Sequence, residues 1–389
     1  MLVFGGEKVT VVKKLLNIID TETKKKGITR GEIAKRLGVS NGTVTNIFSR
    51  KHKISHLTFI ELTKIAYDKY HHEYIQRFCE NAKVGVEIDA LEWAYANAST
   101  EILQILIDRD KKQKKPNPIT AVYELQLKRM MGKINSDCFL NESENLKFTL
   151  SDHENYLEAL ILLGISTIYA FVDLAAYRAV QSISRNLLDQ IQNIKNSYLK
   201  EAYKIRVELA LIFSFIRSDE LSKGKEFALK IVNSDVCNKL PLYYNNALIY
   251  MTDITVLTSY KESSRYISKA VEMMEEGYFD GYTQRKGMIK STSDFVNIHH
   301  NHFKGLYLED LAEQAHYHAK KKEQDKALFF LNRLEQKNGR LSNFQKYYKG
   351  LALDDLNLMK QAREGFYKSG DFHYVKLPEN FIENSNKIS

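Results

Sequence analysis

Residues 40–53 combine short polar side chains with a group of cations. The polar members are hydroxyls and amides, and the cations follow them: Ser40, Asn41, Thr43, Thr45, Asn46, Arg50, Lys51 and Lys53. Amides and small hydroxyls can hydrogen-bond to base edges in a DNA groove, whereas arginine and lysine neutralise phosphates. The segment therefore predicts a DNA-reading surface, with Ser40 near the DNA backbone and the cations on phosphates.

Histidines form the other group with possible chemistry: His299, His300, His302, His316 and His318. On a helix His299 and His302 would share a face, which is compatible with a metal ion. No cysteine or nearby glutamate completes a recognisable ligand set, so surface or groove histidines are the favoured interpretation. The chain also lacks a Walker loop, a dinucleotide fingerprint, an HExxH motif and a nucleophile elbow. We expect no enzyme, no catalytic residue, no cofactor and no metal.

Local signals place the polar residues on the second helix of a pair. Thr29 and Glu32 have capping-box spacing, Gly38 suits a left-handed turn, and Ser40 can cap the next helix. Apolar residues follow helical spacing on both sides of the turn: Ile33, Ala34, Leu37, Val44, Ile47 and Phe48. This arrangement is typical of a helix-turn-helix, whose second helix enters the major groove. A helical hairpin without DNA contact is the alternative.

The net charge of +9 is concentrated at the N-terminus of the 389-residue chain. Residues 1–70 carry +8 and the remainder +1. This asymmetry favours a polyanion-binding head on a neutral body, although a solvated basic surface would look the same. We predict a DNA-binding domain over residues 1–70, with helices at 2–19 and 57–70, and a second domain over residues 71–389.

Composition predicts a soluble helical protein. Only 4 prolines and 18 glycines occur, and the three cysteines, Cys79, Cys138 and Cys237, form no disulfide framework or metal pattern. A reducing cytosol is the simplest setting. The apolar run at residues 159–172 is too short to span a bilayer and predicts a buried helix. Breaks between helices are expected at residues 108–118, 132–146 and 232–241.

The body shows a helical repeat. Small and aromatic residues recur with tetratricopeptide-like spacing: Gly350, Ala362, Phe366 and Ser369, then Ala315, Ala327 and Leu331 one repeat earlier, and Met251, Ser263, Ile267 and Ala270 more weakly. We predict an all-α chain in which an α-solenoid follows the helix-turn-helix. Solenoids of this kind bind extended peptides or proteins on a concave surface. Asn245 and Asn246 beside two tyrosines suit a peptide backbone, but ordinary aromatic packing explains them equally well.

Several stretches resemble a known family. They are residues 75–97 with Tyr74, residues 310–316, 347–350 and 366–369, Asp371, and residues 376–378. In order and spacing they are similar to the arbitrium peptide receptors (AimR) of temperate Bacillus phages, relatives of the Rap/PlcR-type quorum-sensing regulators. The resemblance implies a cytoplasmic regulator in the host cell that binds operator DNA, forms a homodimer and controls the lysis-lysogeny decision. Such receptors activate a lysis-promoting transcript until a secreted hexapeptide binds and turns them off.

The resemblance also implies peptide-binding residues. Asp371 would pair with a basic or polar peptide group, and Glu313 would face the peptide. Lys239 falls where the family has an arginine suited to the peptide carboxylate, and Asp253 falls where an asparagine lines the pocket. Ala312 replaces a polar family residue, which allows a different ligand, and the C-terminus lacks the leucine-rich tail that helps some relatives dimerise. The alternative function is a Rap-like adaptor whose helix-turn-helix does not read DNA.

Overall fold

The computed structural model describes residues 10–49, 53–83, 85–150, 156–278 and 283–388. Over these ranges it contains 22 helices and no strand, so the predicted all-α class is confirmed. The chain divides into two compact units: unit 1 comprises residues 1–163, 194–202 and 277–282, and unit 2 comprises residues 164–193, 203–276 and 283–389. The predicted division at residue 70 falls inside unit 1 and stays a prediction.

Unit 1 contains the first nine helices. They are α1 (Val11–Lys25), α2 (Arg30–Leu37), α3 (Asn41–Phe48), α4 (His56–Tyr67), α5 (His72–Asn81), α6 (Ile88–Ala96), α7 (Thr100–Lys111), α8 (Ile119–Met130) and α9 (Ser136–Thr149). Two helices include residues of both units: α10 (Tyr156–Asp173) and α12 (Ser197–Arg217).

Unit 2 contains the remaining helices. They are α11 (Tyr177–Ile191), α13 (Leu221–Val232), α14 (Val236–Lys239), α15 (Pro241–Val256), α16 (Tyr260–Glu275), α17 (Thr283–His299), α18 (Leu311–Lys320), α19 (Gln324–Asn338), α20 (Asn343–Leu353), α21 (Leu356–Lys368) and α22 (Lys376–Ile388).

The local signals of the helix-turn-helix form as predicted. The Glu32 amide donates to Thr29 Oγ1 at 3.2 Å, and the Thr29 amide donates to Glu32 Oε2 at 2.7 Å, which completes the capping box. Gly38 ends α2 with φ of 67°, and the Thr43 amide donates to Ser40 Oγ at 3.1 Å to begin α3. The short turn is therefore fixed by a cap on each side of a left-handed glycine.

The core of the head extends past residue 70. Leu15, Ile33, Val44 and Ile47 are buried together with residues of α4 and α5. Phe78 of α5 stacks on Phe59 of α4, with ring centroids 4.0 Å apart. Helix α4 agrees with the predicted helix at residues 57–70. The helix predicted at residues 2–19 is observed as α1, which begins at Val11, and residues 1–9 lie outside the described part.

The repeat positions pack as their sizes predict. Ala315, Ala327, Gly350 and Ala362 are buried in the helix pairs α18–α19 and α20–α21. A Cβ placed on Gly350 would lie 3.0 Å from the Cε of Met359, so Met359 would have to shift to admit a side chain there. Small residues therefore let the helices of each pair approach closely.

Two of the expected helix breaks need correction. Residues 112–118 do form a loop, closed by Asp110, whose Oδ2 accepts from the Asn117 amide at 2.8 Å. Residues 136–149, however, form helix α9, because Asn135 caps it by accepting from the Cys138 amide at 2.8 Å. Residues 232–241 contain the short helix α14. The breaks expected at residues 132–146 and 232–241 gave too much weight to polar composition.

Helix α10 passes a length-and-hydropathy test for a membrane span, with a mean hydropathy of 1.5 over 18 residues. Core helices of soluble proteins pass the same test, and a single such helix is weak evidence. Several of its side chains, among them Ile161, Leu162 and Ile165, are buried in the protein, as the buried-helix prediction requires.

Candidate functional site

Helix α3 has a buried apolar face and an exposed polar face. Val44 and Ile47 are buried in the head core, whereas Asn41 and Thr45 are exposed. Of the other residues predicted to contact DNA, Ser40 and Lys53 are exposed and Thr43 and Asn46 are half-buried, while Arg50 and Lys51 lie outside the described residues. The polar face is therefore free to meet a groove.

Hydrogen bonds fix this polar face. The Thr45 hydroxyl donates to the Asn41 carbonyl at 3.0 Å, and Ser40 Oγ lies 3.0 Å from Thr43 Oγ1. Behind α3, the guanidinium of Arg30 lies 3.7 Å from the centre of the Phe48 ring and also pairs with Asp20 of α1. These contacts hold α3 against α1 and α2, and preorganised side chains lose less entropy on binding.

Unit 2 contains a cavity of about 350 Å³ between its helices. Apolar and aromatic side chains form most of its wall: Phe213, Ile249, Tyr250, Val256, Met288, Phe295, Val296, Phe344, Tyr348 and Tyr374. Four charged residues stand among them: Arg217, Asp253, Arg285 and Glu313. A largely apolar cavity with a few charged groups is the usual form of a site for a small ligand.

Glu313 lies at the beginning of α18, where it is 6% exposed. The Tyr348 hydroxyl donates to its Oε1 at 3.3 Å, and His316 Nδ1 lies 3.2 Å from its Oε2. Burial, assisted by the nearby charge of Asp310, raises the pKa of Glu313 to about 8. Burial also holds the pKa of His316 well below its usual value, so the imidazole is neutral. Glu313 is therefore a neutral acid near pH 7 that a ligand cation can ionise.

Asp253 of α15 stands on another part of the wall. The Tyr374 hydroxyl donates to its Oδ1 at 2.9 Å, and the ring of His373 lies 2.9 Å from its carbonyl oxygen. Burial raises the pKa of Asp253, although Arg217 opposes that shift. Asp371 is buried behind this wall and forms an ion pair with Arg217. Arg217 thereby connects Asp371 to the cavity.

A second opening of about 530 Å³ adjoins the cavity. Met288, Ser291 and Thr292 of α17 line both spaces. The second opening is acidic, with Asp294, Glu309 and Asp310 on its wall and Lys290 as their counter-charge. Burial and then the nearby Glu313 raise the pKa of Asp294 to about 7. The two openings together form a groove along α17 that suits an extended ligand.

The predicted peptide-binding residues divide into two groups. Asp253 and Glu313 line the cavity, and Asp371 contacts it through Arg217. Lys239 is exposed on α14, and the wall of the cavity does not include it. Asn245 is fully buried within the α15–α16 pair, where its amide donates to the Ala270 carbonyl at 2.8 Å, and Asn246 is half-buried next to it. A binding role for Lys239, Asn245 and Asn246 stays a prediction with no support from the cavity.

Sequence reasoning missed several polar residues of the wall, among them two arginines and a tyrosine. Arg217, Arg285 and Tyr374 line the cavity. Arg217 lies at the end of α12, and its ion-pair partner is 154 positions away. No local pattern marks such a pair, although an isolated arginine at the end of an apolar helix is a usable signal. Ala312 lines the cavity. The alanine that stands where the resemblance places a polar family residue is therefore part of the wall.

The histidines have structural partners. The His302 ring stacks on Tyr260 at 3.7 Å, His318 Nδ1 lies 2.7 Å from Glu323, and the His300 ring is 2.7 Å from the Val256 carbonyl. Burial and the neighbouring His300 lower the pKa of His299 to about 3. Across the described part of the chain, no three His, Cys, Asp or Glu side chains come together to hold a metal. Ring stacking and hydrogen bonds within the protein account for the histidines at these positions.

The sequence of this chain is similar to one protein family and to two curated proteins. A family described as AimR transcriptional regulator-like matches residues 54–384. An uncharacterized protein of Bacillus anthracis is 26% identical over 232 residues, which are 59% of this chain and 86% of that protein. The AimR transcriptional regulator of Bacillus phage phi3T is 20% identical over 264 residues, which are 66% of this chain and 66% of that regulator, slightly less than two thirds of its length.

Two solved structures share the fold. SeMet-phAimR gives a TM-score of 0.71 at 18% identity and covers 95% of this chain and 97% of its own. The structure of phAimR with a ligand gives 0.70 at 17% identity and covers 85% and 98%, respectively. Identities this low establish the fold alone.

Proposed function

Because the chain belongs to the AimR transcriptional regulator-like family, we propose that it binds operator DNA through α3 and a short signalling peptide in the cavity of unit 2. The peptide is of hexapeptide size, and its binding controls the affinity of the protein for DNA. The regulated process is the lysis-lysogeny decision of a phage, carried out by a homodimer in the cytoplasm of the host cell.

The observation that carries this proposal is the charged groove of unit 2. A peptide has an ammonium at one end, a carboxylate at the other and a polar backbone between them. The groove offers Glu313 and Asp294 to a cation, Arg285 to an anion, and aromatic side chains to the middle of the ligand. Charges of both signs on the wall of a largely apolar cavity favour a short zwitterionic chain over a neutral apolar molecule.

The DNA-binding part of the proposal is supported by α3. Its exposed face carries Asn41 and Thr45, its buried face carries Val44 and Ile47, and the head bears most of the positive charge of the chain. A short capped helix with this division can enter a major groove without disturbing its own core. Salt-dependent phosphate contacts would supply much of the affinity.

A selection experiment tests DNA binding even though the operator sequence is unknown. The full chain is incubated with a pool of random duplexes, and the retained DNA is sequenced. The wild type is expected to enrich a defined sequence. Thr45→Ala is expected to lose or alter that sequence, because a base contact is worth about 1–3 kcal/mol.

Thr21→Ala is the matched control. Thr21 is also exposed and helical, and its hydroxyl donates to the Asn17 carbonyl at 3.0 Å, as that of Thr45 does to Asn41. Removal of the same hydroxyl bond in α1 is expected to leave the enriched sequence unchanged. If the wild type enriches nothing, DNA reading by α3 is wrong and an adaptor function gains support.

A further inference from the structure

Arg285 is a half-buried cation on the wall of the cavity, and it forms no ion pair with any acidic residue that the structure describes. It lies near the beginning of α17, and its Nε is buried without a hydrogen-bond partner among the described residues. Burial lowers the pKa of its guanidinium. A buried charged nitrogen without a partner is destabilising, so an anion that reaches this guanidinium would stabilise it.

The other cations of the groove are already neutralised. Arg217 forms an ion pair with Asp371, and Lys290 donates to Glu309 at 2.9 Å. Lys239, where the family resemblance places the carboxylate anchor, is exposed on α14 and away from the wall. Among the described cations of the groove, Arg285 is therefore the one without an acidic partner, and an anionic ligand group would supply it.

The acidic groups divide between the two openings. Asp294 of α17 lines the second opening with Glu309 and Asp310, and burial and the nearby Glu313 raise the pKa of Asp294 to about 7. Nine residues, or two and a half helical turns, separate Arg285 from Asp294, so their side chains leave α17 on opposite sides. Glu313 lines the same cavity as Arg285, and it is therefore the acid that can meet the cationic part of a ligand held at Arg285.

We propose that Arg285 binds the free C-terminal carboxylate of the ligand, with a cationic group of the peptide at Glu313. This inference rests on the proposed function and replaces Lys239 as the carboxylate anchor. The guanidinium can hold a carboxylate through two parallel hydrogen bonds, which fixes the direction of the peptide as well as its affinity.

The test uses immobilised full-length protein and two pools of random hexapeptides. One pool has free carboxyl termini and the other has carboxamides, and retained peptides are identified by mass spectrometry. The wild type is expected to retain the free acids at least about tenfold better, because a charge-assisted bond to the guanidinium is lost in the amide. The retained peptides are expected to be enriched in lysine or arginine.

Variants make the test specific. Arg285→Gln is expected to bind both pools equally and weakly. Lys286→Gln removes one positive charge from the exposed neighbouring position and is expected to behave as the wild type does. Glu313→Gln is expected to keep the preference for free acids but lose the enrichment of cations.

The possible failures are distinct. Equal retention of both pools by the wild type would overturn the role of Arg285 and leave peptide binding intact. Retention of neither pool would overturn the proposed peptide binding and the carboxylate anchor with it. Inorganic phosphate serves as a further probe: if it raises the melting temperature of the wild type but not of Arg285→Gln while neither pool is retained, Arg285 holds an inorganic anion and the carboxylate assignment is wrong.

Discussion

The hydroxyl of Tyr374 donates a 2.9 Å hydrogen bond to Oδ1 of Asp253, across 121 positions of the sequence. This bond joins the segment before α22 to α15 on the wall of the cavity. Arg217 strengthens the connection, because its guanidinium lies 5.3 Å from the centre of the Tyr374 ring and pairs with Asp371. The cavity is thus closed by contacts between residues far apart in the chain.

Tyr374→Phe is expected to lower the free energy of unfolding by about 1–2 kcal/mol, because the buried Asp253 carboxyl loses its donor. Urea denaturation measures this change. Tyr367→Phe is the control, since its hydroxyl donates to Glu379 at 2.7 Å but the side chain is exposed. We expect less than about 0.5 kcal/mol there. Equal losses in the two variants would mean that the bond to Asp253 has no special weight.

Two glycines of the helix-turn-helix, Gly38 and Gly42, are expected to respond oppositely to alanine. Gly38→Ala should destabilise the protein by about 1 kcal/mol, because Gly38 has φ of 67° and an added Cβ meets no neighbour that could compensate. Gly42→Ala lies within α3, where its Cβ would lie 3.7 Å from Ser40 Oγ, and should stabilise by up to about 1 kcal/mol. Thermal unfolding of both variants decides the signs, and a stabilising Gly38→Ala would contradict the left-handed cap.

Glu313 should make stability depend on pH. Its pKa in the folded protein is about 8, above its ordinary value of 4.5, so the unfolded chain binds fewer protons between these values. The stability contributed by Glu313 is therefore fully present below about pH 4.5 and is lost as the pH rises to about 8. Glu313→Gln should reduce that decline.

Urea unfolding at pH 5.5 and 8.5 measures the difference. Glu272→Gln, at an exposed position of α16, is the control and should retain the pH dependence of the wild type. If Glu313→Gln and the wild type lose the same free energy between the two pH values, burial does not hold this carboxyl neutral.

The substitution Asn245→Ala distinguishes a structural role of this residue from a peptide-binding role. Its amide donates to the Ala270 carbonyl inside the α15–α16 pair, so Asn245→Ala should cost about 1–3 kcal/mol of stability. The affinity for any retained peptide should stay within about twofold of the wild type, since Asn245 is off the wall. Calorimetry measures that affinity, and a large loss of binding with unchanged stability would restore the peptide role predicted from sequence.

Local patterns predicted the head well. The capping box of Thr29 and Glu32, the left-handed Gly38 and the cap at Ser40 depend on residues within a few positions of each other, so sequence spacing determines them. The repeat positions Ala315, Ala327 and Ala362 were also predictable, because close helix packing limits them to small residues. The all-helical class followed from the low proline and glycine content and from the helical spacing of apolar residues.

The cavity was less accessible to sequence reasoning. Glu313 and Asp253 came from the family resemblance, whereas the pairing of Arg217 with Asp371 and the isolation of Arg285 depend on tertiary contacts. Helix α9 was missed because its polar sequence, with Phe139 as its buried anchor, resembles a loop until the cap at Asn135 is recognised. Charged and polar residues signal function only after folding shows which of them lack partners.

The most direct test of the regulatory function measures DNA affinity with and without peptide. A duplex enriched by the full-length protein is labelled, and its Kd is followed by fluorescence anisotropy while a retained hexapeptide is added. A ligand shifts such an equilibrium only by its different affinity for the two states. The expected result is weaker DNA binding in the wild type, with little change in Arg285→Gln at the same peptide concentration. An unchanged Kd in the wild type at saturating peptide would contradict a peptide-responsive regulator.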